Sequence, residues 1–373
     1  MAPKKTPARK ALTTTALDRC LNVADFEIMA KRRMPRAYYD YYAGGAEEER
    51  TLAGNRDAFV RWAFLPRVLV DVSRVDLAVE VLGTPLTMPI LLAPTAYQRL
   101  AHAEGELATA RAAGEAGSLM VASTLATRSL EEIAAVARGP LWFQLYVYRD
   151  RSIAKQLIER AEAAGYRALV VTVDTPRLGR RERDLRSRFT LPRGVTIGNF
   201  KDTGRLARWD AQGGMAAYAS RELDPSLSWE ALDWLRAQTR LPIVIKGVLR
   251  ADDAVRAIEA GVAGVWVSNH GGRQLDGAQA TIQALPAVVE AVGGRAEVYV
   301  DGGFRRGVDV LKALALGARA AFIGRPHLWG LAAGGERGVR RVLDLMRDEL
   351  EAGMALAGCA NVAAIDRSLV APV

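Results

Sequence analysis

Residues 242–269 read PIVIKGVLRADDAVRAIEAGVAGVWVSN. An apolar run, PIVIKG (242–247), leads into a helical pattern, ADDAVRAIEAG (251–261), and a second apolar run, GVWVSN (264–269), follows at once. Each run is too short for a buried helix and lacks polar alternation. That is the pattern of parallel strands covered on both faces. Working outward, the same unit recurs as MPILLAP (88–94), SLMVAS (118–123), LWFQLY (141–146), ALVVTVD (168–174), EVYVDGG (297–303) and AAFIGR (320–325). The segments between them, such as EGELATARAAGEAG (104–117), SIAKQLIERAEAAG (152–165) and GVDVLKALALG (307–317), look helical, and several end in Gly, a helix stop signal. Eight strand–helix repeats predict a (β/α)8 TIM barrel. An open doubly wound sheet is the weaker reading, because no strand followed by GxGxxG opens the chain.

One gap is far longer than the rest. Residues 175–241, rich in Arg, Gly and Asp, separate the fourth and fifth runs and predict a lid or active-site loop. Residues 21–87 precede the barrel as an N-terminal extension. They read as helices (ADFEIMAKRR, AYYDYYAGGA) and a short β region (VDLAVEVLGTPLTM) that plugs or flanks it. The domain reading is a basic disordered tail over 1–20 and a single barrel domain over 21–373.

The net charge of +9 raises nucleic acid, an anionic surface or an anionic ligand as partners. Part of the excess is Lys4, Lys5, Arg9 and Lys10 in the tail, and no helix has a basic face interleaved with aromatics, which argues against nucleic acid. No apolar run spans a bilayer, and the tail lacks the apolar core of a secretory signal. The two cysteines, Cys20 and Cys359, have no CxxC neighbour, so reduced thiols and a cytoplasmic location are expected. His102, His270 and His327 show no metal-ligand spacing, so no metal is expected.

In such a barrel the C-terminal strand ends carry the chemistry. Here they offer Thr95 and Ala96, Ser123, Gln144 and Tyr146, Thr172 and Asp174, Lys246, then Ser268, His270 and Arg273, then Asp301, Gly303 and Arg305, and last Gly324 and Arg325. Polar residues at all eight ends make one ring around one cavity. With Arg181 just past the fourth strand the ring is mostly basic and suits more than one anion. DGGFR (301–305) and GR (324–325) fit a phosphate cradle, since glycines bring backbone N–H groups close and arginine is bidentate. A second basic group, His270, Arg273 and Arg181, fits a substrate carboxylate beside a general base that Asp174 orients. Lys246 fits either a Schiff base or a charge beside a cofactor ring, and spacing does not separate the two.

SNHGGRQLDG (268–277) resembles the signature of the FMN-dependent L-2-hydroxy acid oxidases and dehydrogenases, the family of glycolate oxidase and lactate oxidase. The resemblance runs from about residue 22 to 368. It includes YDYYAGGAEEE (39–49), LAPTAYQ (92–98), FQLYVYRDR (143–151), TVDTPRLGRRERD (172–184), PIVIKGV (242–248), DGGFRRGVD (301–309) and ALALGARAAFIGRP (313–326). The resemblance implies FMN as cofactor and His270 as the base paired with Asp174. It implies Arg273, Arg181 and Tyr41 on the substrate carboxylate, Tyr146 on the substrate oxygen, and Lys246 serving the flavin rather than a Schiff base. It places Thr95, Ala96, Ser123, Gln144, Thr172 and Ser268 at the isoalloxazine and ribityl chain, and Asp301, Gly303, Arg305, Gly324 and Arg325 at the ribityl and phosphate. It further implies a homo-oligomer, tetramer or octamer. Without a fused haem domain or a membrane-binding segment, O2 is the expected acceptor, giving hydrogen peroxide, with a dehydrogenase using another acceptor as the alternative.

The chain also departs from the plant-type glycolate oxidases. They have Trp where this chain has Leu125, in STLAT (123–127), so a wider pocket and L-lactate are expected, with glycolate and longer or mandelate-like acids as alternatives. Tyr97 is expected to narrow that pocket again, and Ala219 to line it from the long loop.

Overall fold

The computed structural model describes residues 16–201 and 221–373. The basic residues Lys4, Lys5, Arg9 and Lys10, and Ala219, lie outside the described residues. Eight strands close a parallel barrel, each inside or within one residue of a run read from the sequence. They are β4 (Ile90–Leu92), β5 (Met120–Ser123), β6 (Leu141–Leu145), β7 (Leu169–Thr172), β8 (Ile243–Val248), β9 (Gly264–Val267), β10 (Glu297–Val300) and β11 (Ala320–Ile323). They neighbour one another in sequence order, and β11 pairs with β4 to complete the ring. The three strands before them lie outside the barrel: β1 (Trp62–Phe64), which pairs antiparallel with the C-terminal β12 (Val370–Pro372), and the hairpin β2 (Val79–Val81) and β3 (Thr84–Leu86).

Alternation along each strand builds two cores. Ile90 and Leu92 face the surrounding helices, whereas Leu91 joins Val121, Trp142, Val170, Val244, Trp266, Tyr299 and Phe322 inside the barrel. The hairpin adds Val79, Val81 and Leu86 to this inner cluster, so it is a plug, as one of the two readings of the β region had it. The barrel is filled by aromatics. Trp266 stacks on Phe322 with centroids 3.7 Å apart, and Trp142 meets Tyr299 edge-on at 5.5 Å. Filling the barrel leaves space for chemistry only above this layer, at the strand C-termini.

The N-terminal helices are α1 (Val23–Arg33), α2 (Arg36–Ala43) and α3 (Arg50–Asp57). Asn22 caps α1 by accepting from the Asp25 N–H. Cys20 is buried and Leu17 lies against the core. Helix α2 carries Tyr41 and Tyr42 to the barrel mouth. Among the described residues no helix is long and apolar enough to cross a membrane.

Candidate functional site

A cavity of about 1210 Å³, open to solvent, lies at the C-terminal end of the barrel. Barrel register sets its floor. Ser123 pairs with Gln144 across β5 and β6, and Thr172 with Lys246 across β7 and β8. Their side chains continue that row. Gln144 accepts from Ser123 Oγ (3.3 Å) and donates to Thr172 Oγ (3.0 Å). Lys246 Nζ donates to Ser268 Oγ (2.9 Å) and lies 3.4 Å from Asp301, and Ser268 donates to Asp301 (2.8 Å). Six consecutive strand ends are thus joined in two hydrogen-bonded groups, as parallel strands ending at one level require.

The turn after β9 carries His270 in the left-handed region (φ 57), followed by Gly271 (φ 64) and Gly272 (φ 75). A non-glycine residue held there costs about 1–2 kcal/mol, and such positions cluster at functional sites. The strained turn aims the imidazole into the cavity. His270 Nδ1 meets Asp174 Oδ1 at 2.9 Å, and its backbone N–H donates to Ser268 Oγ. Burial lowers the imidazole below its ordinary pKa while Asp174 raises it, and Lys246 and Arg181 lower it again. Burial pushes the Asp174 carboxyl up, but His270 and Lys246 outweigh it and hold the group below the usual carboxylate range. The pair at neutral pH is therefore a carboxylate beside a neutral imidazole whose Nε2 is the free basic atom.

Among the described residues five cations line the cavity, Arg181, Lys246, Arg273, Arg305 and Arg325, against one lining carboxylate, Asp301. Burial and then Arg273 push Arg181 down to about 10. Burial, then Arg273 and Arg305, hold Arg325 well below its usual value. Guanidinium groups remain charged at neutral pH, so crowding them together favours anions in the space between. Arg273 donates to the Tyr41 and Gly44 carbonyls (2.5 and 3.0 Å) and lies 5.0 Å from the Tyr41 ring centroid. Phe189 stacks on Tyr41 at 4.4 Å. Burial raises the phenols of Tyr41 and Tyr146, so both are neutral donors.

Most residues expected at the site line the cavity, and three do not. Tyr97 is wholly buried with φ 58, which turns its ring behind Tyr41 (centroids 5.8 Å apart), so it does not narrow the pocket. Asp174 and Ser268 stand behind His270 and Lys246. Arg325 lines the cavity, and one N–H on each of its three nitrogens donates to a carbonyl, of Tyr42, Gly271 and Gly44, which holds the guanidinium in place and leaves two further N–H groups.

Other residues at the site escaped the sequence reading. Tyr42, Phe322, Leu178 and Leu223 line the cavity. The two leucines come from the long insertion, where no periodicity marks an inward position. His327, which sequence spacing only excluded as a ligand, is buried below Thr95. Its Nδ1 shares a hydrogen bond with the Ile323 carbonyl (2.9 Å) and therefore carries the proton, leaving Nε2 to accept from Thr95 Oγ (3.1 Å). Gln98 Nε2 donates to the same Thr95 oxygen (3.0 Å). Asn269 and Asn55 exchange amide hydrogen bonds of 2.8 Å, and Asp276 accepts the first N–H groups of α3.

A barrel with a cationic cavity at its C-terminal mouth and a carboxylate–imidazole pair facing inward defines a cofactor-dependent enzyme acting on small anions. Residues 30–372 match the family described as FMN-dependent dehydrogenase, and the chain belongs to that family. It is 53% identical to glycolate oxidase 3 of Arabidopsis thaliana over 349 residues, covering 93% of this chain and 95% of that one. It is 52% identical to glycolate oxidase of Spinacia oleracea over 352 residues, covering 94% and 95%. The structure of mandelate oxidase with (S)-4-hydroxymandelic acid superposes with a TM-score of 0.90 at 47% identity, covering 95% of this chain and 99% of that one. The chain is accordingly an enzyme of the FMN-dependent 2-hydroxy acid oxidase type, and its cofactor is FMN. The L-lactate preference expected from Leu125 is not shown by these relatives, which are named for glycolate and mandelate.

The residues present fit that cofactor. Arg305 Nε is buried without a hydrogen-bond partner. The adjoining turn is a tight cradle. Gly303 has φ 87, and a Cβ there would lie 2.0 Å from the Asn55 carbonyl oxygen, so only glycine brings this backbone so close.

Proposed function

We propose that this enzyme oxidises glycolate at C2 to the 2-oxo acid, with O2 as electron acceptor and hydrogen peroxide as the second product. The observation that carries the reading is the neutral imidazole of His270, held by Asp174, in a cavity that also presents Arg181 and Arg273. Arg273 and Arg181 hold the substrate carboxylate, assisted by Tyr41, and Tyr146 donates to the substrate hydroxyl oxygen. His270 Nε2 takes up the proton released as C2 is oxidised, and Asp174 stabilises the imidazolium. FMN, when bound, supplies the two-electron acceptor. Gly303 and Arg305 would hold its phosphate end together with Gly324 and Arg325. Thr95, Ala96, Ser123, Gln144 and Thr172 would border its ring and ribityl chain. Lys246, whose ammonium Ser268 and Asp301 orient, would stand beside that ring and would offset negative charge on it.

A second substrate reading, an aryl-bearing acid of the mandelate kind, rests on the apolar wall of Leu125, Leu178 and Leu223, since glycolate has no side chain to cover it. Leu65, Val68 and Leu69, close in sequence and all exposed, support the expected homo-oligomer.

The test is to mix the yellow protein with glycolate, (S)-mandelate or L-lactate without oxygen. Bleaching by glycolate, with colour and peroxide returning on readmission of air, is expected. Faster bleaching by (S)-mandelate moves the substrate to the aryl class. A flavin band that none of the three acids bleaches overturns the function.

A further inference from the structure

Gln274 follows Arg273 in the turn after β9 and stands outside the cavity lining. Its side-chain amide makes three hydrogen bonds to one short stretch of main chain. Nε2 donates to the carbonyls of Asp174 (2.7 Å) and Arg177 (2.9 Å), and Oε1 accepts from the Gly179 N–H (3.1 Å). That stretch carries Asp174 at its start, Leu178 in its middle and Arg181 two residues past its end. None of 174–181 is strand, and helix begins only at Glu182, so no regular ladder holds these residues.

The two turns also meet backbone to backbone. A Cβ on Gly179 would lie 2.4 Å from the Arg273 carbonyl oxygen and 2.5 Å from that of Gln274. Arg181 Nε reaches the Arg273 carbonyl at 3.4 Å. On the far side the Glu47 N–H donates to the Arg180 carbonyl at 2.7 Å.

We propose that Gln274 is a positioning residue that locks the 174–181 turn against the His270–Arg273 turn. The amide can do this because it offers two donors and an acceptor in one plane, matching two carbonyls and an N–H spread over six residues. By fixing the Asp174 main chain it sets the Asp174–His270 hydrogen bond. By fixing Gly179 it sets the approach of Arg181 to the substrate carboxylate. Both groups must arrive in one geometry, and a misplacement of about 1 Å at a reacting centre costs up to about 100-fold. The proposal rests on the roles given above to His270 and Arg181.

The test uses the FMN-loaded protein with Gln274→Met, which keeps length without hydrogen bonds, and Gln274→Asn, which keeps the amide on a shorter stem. Three readouts are taken: kcat and KM for the best acid, the pH profile of kcat/KM, and the Kd for oxalate from perturbation of the visible flavin band. Oxalate is a carboxylate ligand with no C–H to lose. The groups acting on His270 are Asp174, which raises its pKa, and Lys246 and Arg181, which lower it. Loosening Asp174 lowers the imidazole pKa and loosening Arg181 raises it. Asp174, which acts through both its charge and the 2.9 Å hydrogen bond, outweighs Arg181, so the acid limb moves to lower pH. For Gln274→Met we expect kcat/KM to fall about 100-fold, with the acid limb shifted down and the oxalate Kd raised about tenfold by a looser Arg181. Gln274→Asn should be intermediate. Lower thermal stability with the wild-type acid limb and oxalate Kd makes Gln274 merely structural and overturns the proposal. A wild-type protein that oxidises none of the acids removes both this proposal and the function it rests on.

Discussion

Replacing Asp174 with Asn tests the acid–base pair most directly. The change keeps the side chain's volume but removes a negative charge whose oxygen lies 2.9 Å from His270 Nδ1. When His270 accepts the substrate proton, its ring becomes a cation. Two unit charges about 4 Å apart attract by about 4 kcal/mol at the effective dielectric constant of about 20 that suits such sites. Losing that attraction raises the barrier by up to the same amount, and each 1.36 kcal/mol is tenfold in rate, so kcat should fall about 1000-fold. Arg181 and Arg273 stay in place, so the oxalate Kd should hardly change. The pH dependence has a definite sign. Asp174 is the group that raises His270, so without it the His270 pKa falls and the acid limb of kcat/KM moves to lower pH. The assay is stopped-flow bleaching of the flavin band without oxygen, from pH 5 to 9, on wild type and variant. A loss of less than about tenfold with an unmoved acid limb would refute the reasoning, because a charge at this distance is worth more than 1.36 kcal/mol.

Three further outcomes follow from the same structure. Arg273→Lys keeps the charge but loses the planar fork that a carboxylate matches, so KM and the oxalate Kd should rise about tenfold or more, the weight of one charged hydrogen bond of about 1.5–3 kcal/mol. An unchanged Kd would remove Arg273 from the carboxylate site. Leu125→Trp fills the apolar wall and should shift relative kcat/KM from (S)-mandelate towards glycolate; if the ratio does not move, Leu125 does not border the substrate. His327 is wholly buried, and burial lowers its pKa to about 4. Its folded value lies below the unfolded value of about 6.5. The unfolded chain thus binds the extra proton between these values, and stability is full above pH 6.5 and falls as pH drops towards 4, by about 3 kcal/mol in all. Calorimetric Tm against pH should show a shallower acid decline for His327→Gln than for wild type, and parallel curves would reject the assignment.

The sequence alone determined the barrel and the level of its chemistry. Eight short apolar runs alternating with helical segments favoured a closed barrel over an open doubly wound sheet, and all parallel strands of a closed barrel end on one side. Residues at the C-terminal edge of each run, from Ser123 to Arg325, were therefore bound to meet at one mouth. Spacing fixes that level, but it does not fix direction. Tyr97, Asp174 and Ser268 sit at the right level yet stand behind the cavity wall, because turn dihedrals such as φ 58 at Tyr97 decide which way a side chain leaves the backbone. Partners far apart in the chain were equally hidden. Thr95 meets His327, and Asn55 meets Asn269, only because the barrel closes and α3 crosses its mouth. Leu178 and Leu223 come from an insertion without periodicity, so only tertiary contacts bring them to the pocket. Gln274 shows the same division. Its place beside Arg273 was visible in SNHGGRQLDG, but the main-chain groups it holds belong to a turn about 95 residues earlier, and only folding puts them within reach.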